Sequence, residues 1–279
     1  MAERDLTWQT KETIAATTSK GNQEKWYSRE KNRWYKVDAH GFEALAEAVA
    51  STLLLRHSNV EKELGIPIVQ YRVERATVHG HSRIVSESEN FLQKGQSIVT
   101  AYRLLTNAVP DYRARFARAR SLPEKICFLV DTVEEVSGLR NFGAYLTLLF
   151  EVDALILNDD RHLNNIAVLR TPNGFLPCPL FDNGSSFLLN IESYPFDIET
   201  RALRKEVLAN PFQVSFARLI GAARKLYDPQ LRVDFSTQDI DDILDPWIKW
   251  YPVPFQGYLA SRIKDVLMEQ KKRFFQNVW

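Results

Sequence analysis

The spacing of apolar residues divides the chain into two regions of different character, with the change near residue 90. Before it, short aromatic and apolar runs at 25–28 and 33–37 have the composition of paired strands. The segment 41–55 then repeats its apolar positions at helical spacing, as an amphipathic helix does. Further strands are predicted at 66–73 and within 77–86.

From residue 97 the pattern becomes mainly helical, and residues 142–157 form the most apolar helix of the chain. This helix leads into the polar stretch 157–166, Leu-Asn-Asp-Asp-Arg-His-Leu-Asn-Asn-Ile. A strand, a turn and a second strand then lead to Asp182-Asn183-Gly184. We therefore predict an α+β fold with two lobes, a small β-rich lobe at 1–90 and a larger, mainly helical lobe at 91–279.

Composition excludes some function classes. The chain has 36 Lys and Arg against 35 Asp and Glu, which argues against bulk binding of nucleic acid or an anionic membrane. No apolar run approaches the length of a membrane span, and the first residues lack the apolar segment of a signal peptide. Cys127 and Cys178 form neither a metal motif nor a disulfide framework. A cytoplasmic location is expected, with secretion as an effector left open.

Lys36 and two glutamates provide the first chemical signal. Lys36 lies in the predicted strand 33–37, and Glu43 and Glu47 share one face of the following helix. A strand lysine followed by a helix glutamate is the arrangement with which protein kinases hold nucleotide phosphates. Considered alone, Lys36 would be an ordinary outward-facing lysine, so its interpretation depends on residues further along the chain.

The polar stretch after the apolar helix supplies those residues. Phosphoryl transfer needs a carboxylate near the attacking hydroxyl and oxygen ligands for Mg²⁺. Asp160 and Asn165 are five residues apart, and Asp182 follows after the hairpin. Asp159 and Asn164 have the same spacing, but Asn165 directly precedes the apolar strand, so we prefer Asp160 with Asn165. The competing interpretation is a loop that caps the helix and an ordinary Asp-Asn-Gly turn.

In combination these segments resemble a known family. Asp160-Arg-His-Leu-Asn-Asn165 has the Asp-Arg-His order of atypical kinases, whereas standard eukaryotic protein kinases have His-Arg-Asp. Together with 34–37, 41–43, 89–92 and 182–184, it resembles the bacterial HipA-like serine/threonine kinases, most of all the short CtkA-type branch. Phosphoinositide 3- and 4-kinases share the loop element but differ more in length and context. The resemblance covers most of the chain and implies a two-lobed, protein-kinase-like fold with a hinge near 86–91.

The resemblance also implies a role for each residue of the site. Asp160 would be the catalytic base, and Asn165 and Asp182 would bind Mg²⁺. Lys36 would contact the phosphates of ATP. Glu43, or with weaker support Glu47, would pair with Lys36.

Two further groups of residues have roles under the same resemblance. His162 would stabilise developing charge or position the acceptor hydroxyl, or else hold the backbone of the loop, which Arg161 would brace. The loop over the ATP phosphates would include Ser19 and Asn22. The autophosphorylation sites expected in that loop are Thr17, Thr18 and Ser19.

The sequence therefore predicts an ATP- and Mg²⁺-dependent serine/threonine protein kinase that phosphorylates a protein substrate and itself. A lipid or small-molecule kinase with the same loop is one alternative, and a nucleotide-binding pseudokinase module is another. Full-length HipA proteins carry an N-terminal subdomain that contacts a DNA-binding antitoxin. The N-terminus here is too short for that subdomain, so neither this partner nor direct nucleic-acid binding is expected.

Overall fold

The computed structural model describes residues 4–5, 24–39 and 41–276, and within them the chain begins with a five-stranded sheet. The order of strands across this sheet is β1-β4-β5-β3-β2, with β1 parallel to β4 and the other pairs antiparallel. Its strands are β1 (Arg4–Asp5), β2 (Lys25–Ser28), β3 (Arg33–Val37), β4 (Tyr71–Val78) and β5 (His81–Glu89).

The helix α1 (Glu43–His57) connects β3 to β4. Every residue from Ala44 to Leu54 is buried. The helix packs against β4 and β5 and also against the helical part of the chain, so no face is left to solvent along this run. Its small alanines suit this position, and Glu47 is buried among them with 1% of its surface exposed.

The second part of the described chain combines helices with a small sheet of three antiparallel strands, in the order β6-β7-β8. None of its helices is long and apolar enough to cross a membrane, and the same holds for α1. The strands are β6 (Ser97–Thr100), β7 (Ala167–Thr171) and β8 (Gly174–Pro177). The helices are α2 (Ala101–Ala108), α3 (Tyr112–Arg118), α4 (Leu122–Ser137), α5 (Phe142–Ile156), α6 (Thr200–Glu206), α7 (Phe216–Tyr227), α8 (Thr237–Ile248) and α9 (Val253–Phe274).

Helix α5 is the centre of this part and carries the polar stretch at its end. All of its residues except Ala144 are buried, and it packs against α4, α7 and α9. Gly143 lies directly against the ring of Tyr227, where any larger side chain would clash. The helix ends at Leu157, whose φ of 52° turns the chain out of the helix and into the polar stretch.

The predicted fold class is confirmed, and several element boundaries are corrected. Residues 97–100 were expected to be helical but pair with β7, because their Ile-Val sequence finds a partner strand about 70 residues later. The strand predicted at 66–73 begins only at Tyr71. Pro246 lies inside α8, which continues to Ile248, and it is close enough to the end of the helix that few helical hydrogen bonds are affected.

The apolar core does not divide at residue 90. One cluster of buried side chains runs from α1 through the helical part to α9. The two-lobe boundary therefore stays a prediction. A second, smaller cluster belongs to the first sheet and consists of Trp26, Tyr35, Val37, Ala76, Val78 and Val85.

Candidate functional site

A cavity of about 390 Å³ opens between the first sheet and the polar stretch. Lys25 and Lys36 line it from the sheet, and Asn164 and Asp182 line it from the opposite side. Its other end is largely apolar. A cavity that is apolar at one end and charged at the other suits a nucleotide, with a planar base and an anionic phosphate chain. The apolar lining consists of Trp34, Val69, Phe91, Leu92, Ile98 and Phe181.

The segment 89–92 forms one edge of this cavity and is fixed by Asn90. The Asn90 backbone N–H donates to the Asn32 carbonyl at 2.9 Å, in the turn between β2 and β3. The Asn90 side chain accepts from Trp34 Nε1 at 3.4 Å and from the Leu92 N–H at 3.3 Å. These bonds hold the segment beside the sheet, where the sequence predicted a hinge.

Lys36 lies at the charged end of the cavity and pairs with two carboxylates. Its Nζ is 2.9 Å from Glu47 Oε1 and 2.6 Å from Asp182 Oδ1. The pairing predicted with Glu43 is therefore corrected to Glu47. The second turn of α1, rather than the first, lies beside Lys36, and Glu43 Oε2 instead accepts from the Ala39 N–H at 3.3 Å.

The two carboxylates of this cluster keep Lys36 in its charged form. Burial alone would lower the pKa of Lys36, but Asp182 and Glu47 outweigh it and raise the pKa well above its usual value. Burial alone would raise the pKa of Asp182, but Lys36 and Lys25 outweigh it and hold that pKa below its usual range. Burial does raise the pKa of Glu47, against the opposing effect of Lys36.

Lys25 is a residue of the site that the sequence analysis missed. It lies directly opposite Lys36 in the register of β2 and β3 and lines the same cavity. Burial and the charge of Lys36 both lower its pKa. Like charges placed opposite each other in a sheet are destabilising, so two lysines facing one cavity indicate an anionic ligand. The register of the predicted hairpin contained this signal, because pairing 28 with 33 also pairs 25 with 36.

Arg161 braces the polar stretch from below, in agreement with the role expected for it. Its guanidinium is 1% exposed and donates to both oxygens of Asp153 of α5, with distances from 2.9 to 3.1 Å. It also donates to the Phe181 carbonyl at 2.9 Å, to the Asn165 carbonyl at 3.3 Å and to Asn183 Oδ1 at 2.8 Å. One buried side chain thus joins α5, the polar stretch and the Asp-Asn-Gly segment.

The polar stretch folds tightly around the backbone of Asp160. The Asp160 carbonyl accepts from the His162 N–H at 2.8 Å and from Asn165 Nδ2 at 3.1 Å. Asp160 is an exposed residue, and its carboxylate makes no hydrogen bond within the described residues. Its pKa is raised, first by loss of hydration and against the effect of His162. His162 Nδ1 is buried and has no partner in the same part of the chain.

The two adjacent aspartates differ in their contacts. Asp159 Oδ2 accepts a hydrogen bond from the hydroxyl of Tyr194. The Asp159 carbonyl accepts from Asn210 Nδ2 at 2.7 Å. Asp159 is thus already used to hold two later segments of the chain, whereas the carboxylate of Asp160 is available to a ligand.

Asp182 and Asn165 both carry an oxygen atom that could bind a hard divalent cation. Asp182 lines the cavity, whereas the polar stretch contributes Asn164, and not the preferred Asn165, to the lining. Asn165 uses its amide nitrogen on Asp160, and its Oδ1 accepts from no donor in the described residues. Asp182 uses Oδ1 on Lys36, and its Oδ2 is likewise without a donor there. Within 24–39 and 41–276, no group of three or more His, Cys, Asp or Glu could hold a metal by itself. Mg²⁺ bound here would draw further ligands from nucleotide phosphates and water.

The remaining predicted residues belong to the phosphate loop. Ser19 and Asn22, predicted to contact the nucleotide, lie outside the described residues. So do Thr17 and Thr18, which with Ser19 are the predicted autophosphorylation sites. These assignments stay predictions.

Comparison with solved structures gives two similar chains. The crystal structure of the Helicobacter pylori proinflammatory kinase CtkA is similar with a TM-score of 0.60, over 97% of this chain and 95% of that chain, at 14% identity. HipA, from the Shewanella oneidensis MR-1 toxin–antitoxin complex with HipB and operator DNA, has a TM-score of 0.47 and 13% identity. That alignment covers 92% of this chain and 65% of HipA.

The sequence matches no protein-family model and no curated protein. The similarity to CtkA shows that the chain has a kinase-like fold. It confirms the predicted likeness to the CtkA-type branch of HipA-like kinases at the level of fold. The activity has to be argued from the residues of the site.

Proposed function

We propose that this protein is a kinase that transfers the γ-phosphate of ATP to a serine or threonine hydroxyl of a protein. The observation that carries the proposal is the cluster of Lys36, Glu47 and Asp182, which faces the polar stretch containing Asp160. These are the groups that phosphoryl transfer requires, on a fold similar to that of a known kinase.

ATP binds with its base in the apolar end of the cavity, against the segment 89–92. Its phosphates extend toward Lys36 and Lys25, whose charges are the source of affinity for them. Asn165 and Asp182 would hold Mg²⁺, which when bound neutralises charge on the phosphates. Glu47 keeps Lys36 pointed into the cavity, because its carboxylate is itself held by the backbone N–H of Asn183 at 2.8 Å.

Asp160 acts as the base. The hydroxyl oxygen of the acceptor attacks the γ-phosphorus, the bond from that phosphorus to the β,γ-bridging oxygen breaks, and ADP leaves. The hydroxyl proton passes to the Asp160 carboxylate. The raised pKa of Asp160, caused first by loss of hydration, strengthens it as a proton acceptor.

The decisive experiment is substitution of Asp160. Because its carboxylate makes no hydrogen bond within the described residues, Asp160→Asn should leave the unfolding temperature and ATP binding unchanged. Phosphoryl transfer from labelled ATP should fall about 10²- to 10⁴-fold. Asp245→Asn, a change on the exposed surface of α8, is the matched control. Full activity of Asp160→Asn would remove this residue from the base role.

The acceptor class is tested in the same assay. We expect phosphate on protein serine or threonine, including the chain itself at Thr17, Thr18 or Ser19, and mass mapping identifies the sites. Transfer to lipids or small molecules, with none to protein, would replace the acceptor in the proposal. Binding of ATP without transfer to any acceptor would make the protein a pseudokinase.

A further inference from the structure

A second groove lies in the helical part, apart from the cavity that Lys36 faces. Its volume is about 470 Å³. It forms where the first turn of α4 meets the chain that enters α7. The basic groove, as we name it, is lined by Arg120, Leu122, Lys125, Phe212, Val214 and Arg218, together with small neighbouring side chains.

The groove carries a local excess of positive charge. Its lining contains Arg120, Lys125 and Arg218, and within the described residues it contains no carboxylate. None of these three cations forms an ion pair in that part of the chain. Glu124 is the nearest acid in the sequence, and its Oε2 accepts a hydrogen bond from the backbone N–H of Arg120 at 2.7 Å. The net charge of the whole protein is only +1, so the excess of positive charge in the groove is local.

The floor of the groove is apolar and firmly packed. Phe212 is buried and stacks on Phe116 of α3, with ring centroids 5.5 Å apart and an interplanar angle of 6°. Its other neighbour is Phe150 of the central helix α5, at 6.0 Å. Lys125 Nζ lies 5.9 Å from the centroid of the Phe116 ring. A preformed apolar floor with a cationic rim fits a peptide that carries acidic side chains beside an apolar one.

The groove is mechanically joined to the polar stretch that contains Asp160. Ala209 and Val214 exchange two backbone hydrogen bonds, at 2.7 and 3.4 Å, which fold the segment between them into a tight loop. Asn210 of this loop donates to the Asp159 carbonyl. Two residues span at most about 7 Å, so Phe212 lies within roughly 15 Å of Asp160. An extended peptide crosses that distance in at most about five residues.

Another cavity in the helical part has no such excess of positive charge. It has a volume of about 430 Å³ and lies between α6 and α9. Its cations are balanced by carboxylates, as in the pair of Arg204 and Glu269 at 3.5 Å. Only an uncompensated charge can select a partner by sign, so the basic groove is the stronger candidate for recognition.

We propose that the basic groove binds an acidic segment of the protein substrate, within about five residues of the serine or threonine that receives the phosphate. The proposal rests on the proposed function, since it assigns a substrate class to that site. Arg120, Lys125 and Arg218 attract the carboxylates of the substrate, and Phe212 contacts an apolar side chain between them.

Binding tests the groove independently of catalysis. The probes are three fluorescein-labelled peptides that share a central serine and one phenylalanine and carry four Glu, four Gln or four Lys. We expect the Glu peptide to bind at least tenfold more tightly than the Lys peptide, with affinity falling as salt increases. The double variant Arg120→Glu/Arg218→Glu should reverse this preference, whereas Arg201→Glu, beside the other cavity, should not.

Transfer rates for the same peptides provide the second readout. The variant Arg120→Glu/Arg218→Glu should keep autophosphorylation while losing at least tenfold in kcat/KM for the Glu peptide. If no peptide is phosphorylated but the Glu peptide binds through these arginines, the proposed function is wrong, while the assignment of the groove as a site for acidic peptides is supported. Equal affinity for the three peptides, or an unchanged preference in the double variant, overturns the groove. Tighter binding of a single-stranded oligonucleotide of equal charge through the same arginines would also overturn it, since the partner would then be nucleic acid.

Should the double variant fail to fold, Arg218→Gln decides the same question. Arg218 is exposed and forms no ion pair in the described residues, so its neutralisation should leave the fold intact. It should weaken binding of the Glu peptide without affecting the Gln peptide. Equal weakening of both peptides would overturn the assignment.

Discussion

Two cations of the candidate site, Lys36 and Arg161, differ in their surroundings. Arg161 faces one carboxylate, Asp153, and both side chains are 1% exposed. Lys36 faces two carboxylates and remains 12% exposed, while its partner Asp182 is 22% exposed. The Arg161 cluster is closed and balanced in charge. The Lys36 cluster is open toward the cavity and keeps oxygen atoms available. We therefore interpret the closed cluster as structural support and the open cluster as the candidate reaction site.

Asn183 links the two clusters. Its backbone N–H donates to Glu47 at 2.8 Å, and its Oδ1 accepts from Arg161, also at 2.8 Å. The next residue, Gly184, approaches α1 so closely that a Cβ would lie 3.3 Å from Glu43 Cβ. The Asp-Asn-Gly segment therefore positions Asp182 through its two neighbours. We infer that damage to the closed cluster reaches the open one along this segment.

The largest expected effect follows from breaking the closed cluster. Arg161→Met leaves the carboxylate of Asp153 buried without its charge partner, which should cost about 3–5 kcal/mol of unfolding free energy. Denaturant unfolding followed by circular dichroism measures this cost. Lys36→Met is the comparison and should cost clearly less, because Asp182 is within reach of water and the buried Glu47 keeps its hydrogen bond from the Asn183 N–H. Equal costs would contradict the distinction between the clusters.

The second effect separates the two glutamates of α1. Glu47→Gln removes a charged partner of Lys36 and should lower the rate of phosphoryl transfer about 10- to 100-fold, the loss of one charge-assisted hydrogen bond. Glu43→Gln is the matched control and should stay within a few-fold of the parent, since the Lys36 ammonium bonds to Glu47 and Asp182 and not to Glu43. The steady-state rate with labelled ATP decides this, and a larger loss for Glu43→Gln would restore the original sequence assignment.

The third effect concerns the lowered pKa of Lys25, which burial and Lys36 cause. The free folded protein releases this proton at a pH where the unfolded chain retains it, so raising the pH across that window favours the folded form. Bound phosphate reverses the shift and retains the proton. Nucleotide affinity should therefore fall by up to about tenfold per pH unit above the lowered pKa.

Calorimetric titration of a non-hydrolysable ATP analogue between about pH 7 and pH 10 measures this dependence. Lys25→Arg keeps its charge throughout and should bind with little dependence on pH. If Lys25→Met shows the same slope as the parent protein, the proton is released elsewhere.

The smallest effect is expected at Tyr194, which holds Asp159 at the edge of the polar stretch. Tyr194→Phe removes the hydrogen bond to the Asp159 carboxylate and should cost about 1 kcal/mol of stability with a few-fold loss of activity. Tyr258→Phe, on a residue that is 59% exposed, is the control and should change neither. Thermal unfolding and the transfer assay together measure both. A loss of activity as large as that of Asp160→Asn would mean that Asp159 has a chemical role.

Some residues of the site could have been recognised from the sequence immediately around them. Glu47 is the single charged residue within the apolar run 44–50, and Glu151 and Asp153 are the two charged residues within the apolar helix α5. A charge inside such a run must find a partner when the helix is buried on all sides. This reasoning favours Glu47 over Glu43, which is half-buried at the first position of the helix.

The sequence by itself determined the hairpin of β2 and β3, the helix α1, the apolar helix α5 and the polar stretch that follows. Each of these depends on periodicity or turn residues within a short segment. Only the tertiary structure decided which partners these residues have. Asn210 and Tyr194 reach Asp159, and Lys25 joins Lys36 beside Asp182, through the packing of segments far apart in the chain. Periodicity specifies the buried face of an element, whereas a contact between side chains depends on how elements pack at the ångström scale.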